Sequence, residues 1–321
     1  MKFIALKTEN GAINGQISFY CRVLNVSTQG FYKYLRNRDK PWKYAALAAV
    51  INKIIEEDEC NDTYGSERMH MALKLKESQA ESRFPDVPSE RTVYRIMRKM
   101  GVIHKPNRNP KGITKADKKA QKSDNLIKNT EIIDGKKQSD FLTERPCEKC
   151  VGDITEVACM DGKLYVSALE DCFNNEILGL SMAEHMRAEL VRDTLKMAVR
   201  LHPDLVRNKA IAHTDRGSQY TSDLYRRYLK KYGIRQSMNS AAGRCHDNAK
   251  AESLWGRMKE ELLYDRYDTE KMTVNEVKSL IWRYFMSYWN NRRICSANGG
   301  LPPAVKRRLY YGSILTNQNA A

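Results

Sequence analysis

From residue 150 onward, strand-like and helix-like segments follow one another in a fixed order. Three short segments, CVGDITEVAC, KLYVSALEDC and EILGLSMAE, are separated by the turn-forming pairs Asp161-Gly162 and Asn174-Asn175, which predicts an antiparallel meander. The segments RAELVRDTLKMAVRLH, KAIAHTD, SDLYRRYLKKYG, IRQSMN and DNAKAESLWGRMKEELL then alternate between helix and strand patterns. Because strands joined through helices usually run parallel, the order β-β-β-α-β-α-β-α predicts a mixed five-stranded sheet with flanking helices.

Three acidic residues lie on separate elements of this predicted α/β core. Asp153 lies in the first strand, Asp215 directly follows the fourth strand, and Glu252 lies on the last helix. Ligands collect beyond the carboxyl ends of strands in α/β sheets, and carboxylate oxygens suit hard cations such as Mg²⁺. The pattern is compatible with a metal-dependent phosphoryl-transfer site, but from the residues alone a solvated surface position is the more common role for each acid.

The last helix separates its polar residues into groups. At about 100° per residue, Asn248 and Lys259 lie within about 40° of Glu252, so the three form one stripe. A second face is predicted to pack against the core, and it carries Ala251, Leu254, Met258 and Leu262. Glu260 and Glu261 are expected to lie in solvent. Glu252 is therefore placed to bind a metal ion, with Lys259 two turns further along to hold a phosphate.

The first hundred residues have helical patterns and include a possible helix-turn-helix. In Phe19–Asn37, one short helix is predicted to end at the apolar pair before Asn25, and Ser27 is a suitable N-cap for the next. Lys33 and Arg36 would lie on the surface of that second helix and contact DNA. A helical hairpin without DNA contacts has the same pattern and stays open as an alternative.

Three further helices follow, in YAALAAVINKIIEE, TYGSERMHMALKLKE and VPSERTVYRIMRKMGV. The second is predicted to begin after Gly65 with Ser66 as its cap, and the third is predicted to be capped by Ser89 and stopped by Gly101. The buried stripe of the third helix is predicted to be Val93, Ile96, Met97 and Met100. The rest of its surface carries Arg91, Arg95, Arg98 and Lys99. These cations predict a recognition helix on DNA, although solvated cations would give the same pattern.

The charge of the chain favours a polyanionic partner. Its 55 Lys+Arg against 39 Asp+Glu give a formal net charge of +16, which suits nucleic acid. Lysines and arginines greatly outnumber the one acid, Asp117, in residues 99–122, where Pro106 and Pro110 would break any helix. This segment reads as a basic linker along a phosphate backbone.

The cellular compartment is predicted from the lack of a membrane-spanning segment and of a signal peptide in the sequence. No apolar run approaches the ~18 residues of a membrane span, and MKFIALKTENGAINGQ lacks the apolar core of a signal peptide. The eight cysteines are scattered, so a reduced cytoplasmic protein without a membrane partner is expected. Cys147 and Cys150 form a C-x-x-C pair, but no second ligand pair stands at zinc-binding spacing.

Three segments carry a resemblance to a known family. VGDITEV, HTDRGSQYTS and GRCHDNAKAESLWGRMKEEL resemble the catalytic blocks of DDE transposases with a retroviral-integrase-like core, in particular the second-reading-frame product (OrfB) of the IS3 insertion-sequence family. TYGSERMHMAL resembles that family's helix-turn-helix block, and YWNNRRICSANGGLPPAVKRR resembles its C-terminal block. The resemblance covers nearly the whole chain.

The resemblance implies a ribonuclease-H-like core in which Asp153, Asp215 and Glu252 bind two Mg²⁺ (or Mn²⁺) ions, with Lys259 as the basic residue after the glutamate. It implies that water first frees a 3′-OH at an element end, and that this 3′-OH then attacks another phosphodiester. Two departures are visible: Cys150 stands where the family usually has an aromatic residue, and one extra residue separates Asp215 from Glu252.

The resemblance also implies partners and a domain plan. The partners are the element ends, target DNA, other copies of the chain on DNA and possibly the first-frame protein of the element. Because the chain starts at Met1 and lacks a long leucine heptad, we expect the catalytic part alone. The expected domains are a DNA-binding region (1–104), the basic linker (105–146), the catalytic core (147–265) and a C-terminal helical extension (266–321).

Two functions of other classes stay open from the residues alone. A ribonuclease-H-type nuclease would use the same carboxylates, but it would only hydrolyse and would not need the helices in front. A DNA-binding regulator would use those helices and leave the carboxylates idle. Formation of a strand-transfer product from a pre-cleaved end distinguishes all three functions.

Overall fold

The computed structural model describes residues 1–104, 123–133, 136–239 and 249–319. The chain divides into two compact units, Met1–Val50 and Ile51–Ala321. Within the described ranges, no helix combines the length and the apolar composition that crossing a bilayer requires.

The first unit is helical. Its helices are α1 (Lys2–Lys7), α2 (Asn14–Val23) and α3 (Thr28–Arg38). Between α2 and α3 the backbone turns at Asn25, whose φ is +49°. The hydroxyl of Ser27 accepts a hydrogen bond from the Gly30 amide at 3.0 Å, so it caps α3 as predicted. The small core of this unit consists of Ile4, Ala5, Ile17, Cys21 and Phe31.

Three more helices, α4 (Ala45–Glu56), α5 (Ser66–Gln79) and α6 (Glu90–Met100), precede the sheet. The border between the two units falls inside α4. Gly101, with φ of +77°, ends α6 as predicted, because a left-handed residue after a helix favours glycine.

One capping prediction for these helices was wrong, and another is confirmed in position only. Helix α5 begins after Gly65 as predicted, but Gly65 is its N-cap, and the Ser66 hydroxyl donates to Glu90 Oε1 at 2.9 Å instead of capping the helix. Ser89 is the N-cap of α6, but its side chain makes no capping hydrogen bond; its hydroxyl lies 3.3 Å from that of Thr92. Val93, Ile96 and Met97 are buried as predicted, whereas Met100 is only half-buried.

An antiparallel strand pair, β1 (Lys128–Ile133) and β2 (Lys136–Ser139), lies inside the range predicted as linker. The sequence analysis did not predict it. These strands form a separate two-stranded sheet.

The main sheet has five strands in the order β5-β4-β3-β6-β7. The strands are β3 (Lys149–Cys159), β4 (Gly162–Asp171), β5 (Ile177–Ala183), β6 (Ile211–Thr214) and β7 (Arg235–Met238). Strands β3, β4 and β5 are antiparallel neighbours, whereas β6 and β7 run parallel to β3. This is the predicted mixed, ribonuclease-H-like sheet.

Helices cover both faces of the sheet. The helices after β5 are α7 (Ala188–Leu201), α8 (Asp204–Arg207), α9 (Ser218–Thr221), α10 (Asp223–Tyr232), α11 (Ala249–Met258), α12 (Val274–Trp282) and α13 (Pro303–Asn319). One core cluster joins the sheet to α7 and α10, and a second joins it to α11, α12 and the segment after α12. A Cβ at Gly179 would lie 2.3 Å from the Thr194 carbonyl oxygen, so only glycine lets α7 pack this closely on β5.

Two helices continue into π-helical turns. The segment Lys259–Leu263 extends α11, and Arg283–Trp289 extends α12. A π-turn holds more residues than an α-turn, so side chains beyond its start rotate away from the 100° rule. The four residues predicted for the core face of α11, namely Ala251, Leu254, Met258 and Leu262, are all buried.

Candidate active site

Strand register brings Asp153 and Asp215 together. Gly152 on β3 pairs with Thr214, the last residue of the parallel strand β6. The next residue on each chain segment is an aspartate, and neighbouring strands lie about 4.8 Å apart. The two carboxylates therefore meet where β6 ends beside the middle of β3, as the sequence predicted.

The turn after β6 fixes the Asp215 side chain. The Gly217 amide donates to Asp215 Oδ1 at 2.9 Å. A Cβ on Gly217 would lie 3.0 Å from that same oxygen, so a larger residue would crowd the carboxylate. The glycine of the segment DRGSQ therefore permits a tight turn that holds Asp215 at the end of the strand.

The site concentrates negative charge in a poorly hydrated place. Burial, together with the charges of Asp215 and Glu252, raises the pKa of Asp153 to about 7. Burial also raises the pKa of Asp215. Among the described residues, neither aspartate forms an ion pair with a lysine, arginine or histidine. The site thus disfavours ionisation of both aspartates at once, and binding of a cation or of protons relieves this repulsion.

Helix α11 carries Glu252, and the π-helical turn that continues it begins with Lys259. Glu252 is exposed, and its charge contributes to the raised pKa of Asp153. Lys259 is half-buried rather than fully solvated, and burial lowers its pKa, an effect that Glu156 partly opposes. Asn248 lies outside the described residues. The helix therefore presents an acid and, two turns later, a base on its Glu252 side.

An aromatic residue of α11 contacts the site directly. The indole nitrogen Nε1 of Trp255 donates to Asp153 Oδ2 at 3.1 Å. The sequence analysis missed this residue. A sequence signal was present: at 100° per residue Trp255 lies about 60° from Glu252, between the stripe that contains Glu252 and the core face.

The carboxylate oxygens of the site suit a divalent cation, although the three side chains do not converge on one point. Two partly buried carboxylates that pair with no base in the described part of the chain, and a third nearby, are oxygen donors of the kind that Mg²⁺ prefers. In the described part of the chain, no group of three or more His, Cys, Asp or Glu side chains is arranged to hold a metal ion. The aspartates are thus in place, and the Glu252 carboxylate would have to approach them.

His213 precedes the second aspartate but has a structural position. Its Nδ1 lies 2.8 Å from Ser237 Oγ, and its Nε2 lies 2.9 Å from Asn239 Oδ1. The ring is buried and ties β6 to the end of β7. Both ring nitrogens have partners within the protein, so His213 supports the strand end that carries Asp215.

The buried cysteines of the C-x-x-C segment also pack inside the protein. The Cys150 thiol lies 3.4 Å from the Ile211 carbonyl oxygen, and the Cys147 amide donates to Asp171 Oδ2 at 2.9 Å. Burial raises the pKa of both thiols. Cys150, at the position where an aromatic residue was expected, is thus part of the α7-side core.

The cations predicted to contact DNA lie on exposed helix surfaces. Lys33 and Arg36 are exposed on α3 of the first unit. On α6, in the second unit, the exposed cations are Arg91, Arg95, Arg98 and Lys99. Their positions leave the predicted contacts sterically possible.

The expectation that Glu260 and Glu261 lie in solvent was wrong. Glu261 is buried, and it accepts hydrogen bonds from Arg68 at 2.7 Å and from the Tyr284 hydroxyl at 2.9 Å. Glu260 is half-buried, with Oε1 at 2.8 Å from His104 Nε2. Both acids contact partners that are distant in sequence, so no local pattern indicated their burial.

Two protein-family profiles match the regions of the chain that contain the three acidic residues. A family profile described as "Integrase core domain" matches residues 143–245, and a second profile with that description matches residues 232–303. The first range contains Asp153 and Asp215, and the second contains Glu252.

Similar proteins extend along nearly the whole chain. It is 31% identical over 292 residues to the putative transposase InsK for insertion sequence element IS150 of Escherichia coli K12, covering 90% of this chain and 93% of that protein. It is 28% identical over 307 residues to transposase InsF for insertion sequence IS3A of the same organism, covering 94% and 97%. A transposase-like protein of Haemophilus influenzae is 38% identical over 177 residues, covering 55% and 78%.

Solved structures match the catalytic region more weakly. The catalytic core domain of HTLV-2 integrase, solved in complex with magnesium, is 15% identical with a TM-score of 0.36, covering 50% of this chain and 94% of that one. The catalytic domain of Mos1 mariner transposase is 14% identical with a TM-score of 0.35, covering 44% and 70%. Similarity at this level carries no conclusion about the metal or the activity.

Proposed function

The chain belongs to the IS3 family of insertion-sequence transposases, which cleave DNA and transfer its strands, and we propose that Asp153, Asp215 and Glu252 carry that chemistry. The observation that supports this most is the register that places Asp153 and Asp215 side by side at the end of β6. Glu252 lies within electrostatic reach, on the helix that packs on β3.

The three carboxylates would hold divalent Mg²⁺ or Mn²⁺, two ions in the complete site. When bound, such ions activate an oxygen nucleophile and neutralise charge on the phosphodiester during in-line displacement. Asp153 and Asp215 would hold the ions from the sheet, and Glu252 would complete the set from α11. The raised pKa of Asp153 supports this assignment, because burial and the neighbouring acids disfavour the ionised carboxylate and a bound cation would offset both.

Other residues would hold and orient the DNA. Lys259 lies beyond Glu252 on the same helix side and would contact a phosphate near the scissile bond. Asn248, which the sequence pattern assigns to the same stripe, would contact the DNA end. The role of Lys259 follows from its charge and from its position after Glu252.

The basic helices would bind DNA away from the reacting phosphate. Lys33 and Arg36 on α3 and the exposed cations of α6 would contact the phosphate backbone, which gives binding that weakens steeply with salt. Residues 1–104 would thus serve DNA binding, 105–146 would link, 147–265 would catalyse, and 266–321 would support the catalytic helix. Because this division follows function, it differs from the two compact units, whose border lies inside α4.

The partners would be the element ends, the target DNA and further copies of the chain assembled on them. The first-frame protein of the same element is an additional candidate partner. The enzyme would act in the bacterial cytoplasm, at the nucleoid, where it would meet its DNA substrates.

A joining assay tests the proposed chemistry. Purified protein is incubated with a pre-cleaved oligonucleotide that carries the element's terminal repeat and with plasmid as target, in EDTA, Mg²⁺ or Mn²⁺. We expect joined product with Mg²⁺ or Mn²⁺ and none in EDTA. Joining in EDTA would contradict the metal assignment, and hydrolysis without joining would indicate a nuclease.

A further inference from the structure

The Asp153 carboxylate is held by a side chain that is not one of the proposed metal ligands. Trp255 Nε1 donates to Asp153 Oδ2 at 3.1 Å, across 102 positions of sequence. Trp255 is only 6% exposed. An indole N–H can only donate, and a buried one needs an acceptor. Here the acceptor is a carboxylate that the proposed function assigns to the metal.

The ring of Trp255 is itself held from the C-terminal side. It packs edge-on against Phe285, with ring centroids 6.0 Å apart and an interplanar angle of 81°. Phe285 is fully buried and packs in turn against Trp289, whose indole donates to the Asn175 carbonyl at 2.7 Å. The π-helical turn after α12 therefore fixes the indole, and the indole does not simply follow the carboxylate.

The helix position of Trp255 links two of the proposed ligands. It lies three residues after Glu252 on the same turn of α11, and its N–H reaches the strand that carries Asp153. A hydrogen bond at this place fixes the carboxylate of β3 relative to the helix that bears Glu252. Partners of this kind, which orient a ligand without binding the metal, typically change metal affinity about 10–100-fold when they are removed.

We propose that Trp255 is a positioning residue of the metal site: its indole N–H orients the Asp153 carboxylate for the cation before the cation binds. This inference rests on the proposed function of Asp153 as a metal ligand. It adds a residue outside the three carboxylates and assigns the π-helical turn around Phe285 a role in the geometry of the site.

The test compares two tryptophan variants. Trp255→Phe keeps an aromatic ring in the core but removes the N–H donor to the carboxylate. Trp282→Phe is the control, because it makes the same exchange of an indole for a phenyl ring at an exposed position. Calcium binding to the full-length protein is measured by calorimetry, so the readout does not depend on catalysis. Melting temperatures are recorded for both.

We expect Trp255→Phe to weaken Ca²⁺ binding about 10–100-fold, while Trp282→Phe binds Ca²⁺ as the wild type does. Wild-type Ca²⁺ affinity in Trp255→Phe, or equal weakening in both variants, would overturn the proposal. Asp153→Asn separates the two levels of inference: if it binds Ca²⁺ normally, the proposed metal site itself is wrong.

A second measurement needs no variant at position 255. The chain has four tryptophans, so the wild type gives four indole N–H resonances in ¹⁵N-correlated NMR. The signal of Trp255 is identified as the one retained in Trp42→Phe, Trp282→Phe and Trp289→Phe. We expect Ca²⁺ to shift this signal strongly and to leave that of the exposed Trp282 in place. An unmoved Trp255 signal at saturating Ca²⁺ would overturn the proposal.

Discussion

Arg293 and Glu261 form a buried, two-pronged ion pair, with Nη2 at 2.5 Å from Oε1 and Nε at 2.7 Å from Oε2. Arg68 of α5 and Tyr284 of the π-helical turn bind the same carboxylate. Three segments that are distant in sequence thus meet at the turn that continues α11. Glu261 therefore anchors the end of the helix that carries Glu252.

Replacing Glu261 by glutamine should destabilise the protein strongly. The amide keeps the volume but leaves Arg293, and in part Arg68, without a counter-charge in the interior. Breaking a buried pair from one side costs about 3–5 kcal/mol, which urea denaturation would measure. The control is Glu57→Gln, which removes a surface pair with Lys76 and should change the free energy of unfolding by no more than about 1 kcal/mol. Equal effects of the two variants would contradict the anchoring role.

The loss of stability caused by Glu261→Gln should depend on pH in one direction. The charges of Arg293 and Arg68 outweigh burial and lower the pKa of Glu261 to about 2, from an ordinary 4.5. The stability that the carboxylate contributes is fully present above pH 4.5 and is lost as the pH falls through about 2. The difference between wild type and Glu261→Gln should therefore narrow below pH 4.5 in a pH series of unfolding measurements. A constant difference down to pH 2 would argue against the depressed pKa.

Sequence patterns predicted the sheet and the neighbouring positions of the two aspartates, because both follow from the order of strands, turns and helices along the chain. Alternating β-branched segments and turn pairs define the strands, and the strand ends place Asp153 and Asp215 at one edge. The β1–β2 pair was missed because its segments, KNTEII and KKQS, are lysine-rich and polar like the linker around them.

The residues that sequence reasoning missed depend on contacts across the fold. Glu261 sits among acids and looks solvated, and its partners Arg68 and Arg293 lie 193 and 32 positions away. The π-turn that begins at Lys259 also breaks the 100° rule that sorted the faces of the helix. Trp255 was identifiable as a boundary residue, but its acceptor on β3 required the structure.

Replacing Asp153 by asparagine should stabilise the metal-free protein above neutral pH. Burial and the neighbouring acids raise the pKa of Asp153 from 3.8 to about 7. The stability that the protonated Asp153 carboxyl group contributes to the folded protein is fully present below pH 3.8. It is lost as the pH rises through about 7. In EDTA at pH 8, we expect Asp153→Asn to melt a few degrees above the wild type, with the gap closing near pH 4. If Asp153→Asn melted below the wild type at pH 8, the claim that burial and the neighbouring acids destabilise the ionised Asp153 carboxylate would be contradicted.

Alanine at Arg91, Arg95 and Arg98 together should weaken DNA binding by the full chain and flatten its salt dependence. Each lost phosphate contact should reduce the slope of log affinity against log salt by about 0.9. The paired change Lys33→Ala and Arg36→Ala tests α3 in the same titration. Lys271→Ala, an exposed lysine that pairs with Asp268, is the control and should leave the slope unchanged. An unchanged slope in the α6 variant would assign its arginines to solvent.

Lys259 should act on DNA rather than on the metal. It lies seven positions after Glu252, roughly 10.5 Å along the helix, which is too far for a direct pair but suits a phosphate near the scissile bond. Lys259→Ala should slow joining with an unchanged Mg²⁺ requirement, and Lys259→Arg should retain much of the activity. Joining assays across Mg²⁺ concentrations measure this. Rescue of the alanine variant by extra Mg²⁺ would place Lys259 in the metal site, and full activity would make it a surface residue.

The most direct test measures the joining rate of a pre-cleaved element end by Asp153→Asn, Asp215→Asn and Glu252→Gln, with DNA affinity determined for each variant. The control is Glu189→Gln, an exposed acid at the start of α7. Loss of a ligand to the catalytic ions should lower the rate by orders of magnitude, while the control joins normally and all four variants bind DNA like the wild type. Near-normal joining by any one of the three would contradict the assignment of these carboxylates as the catalytic centre.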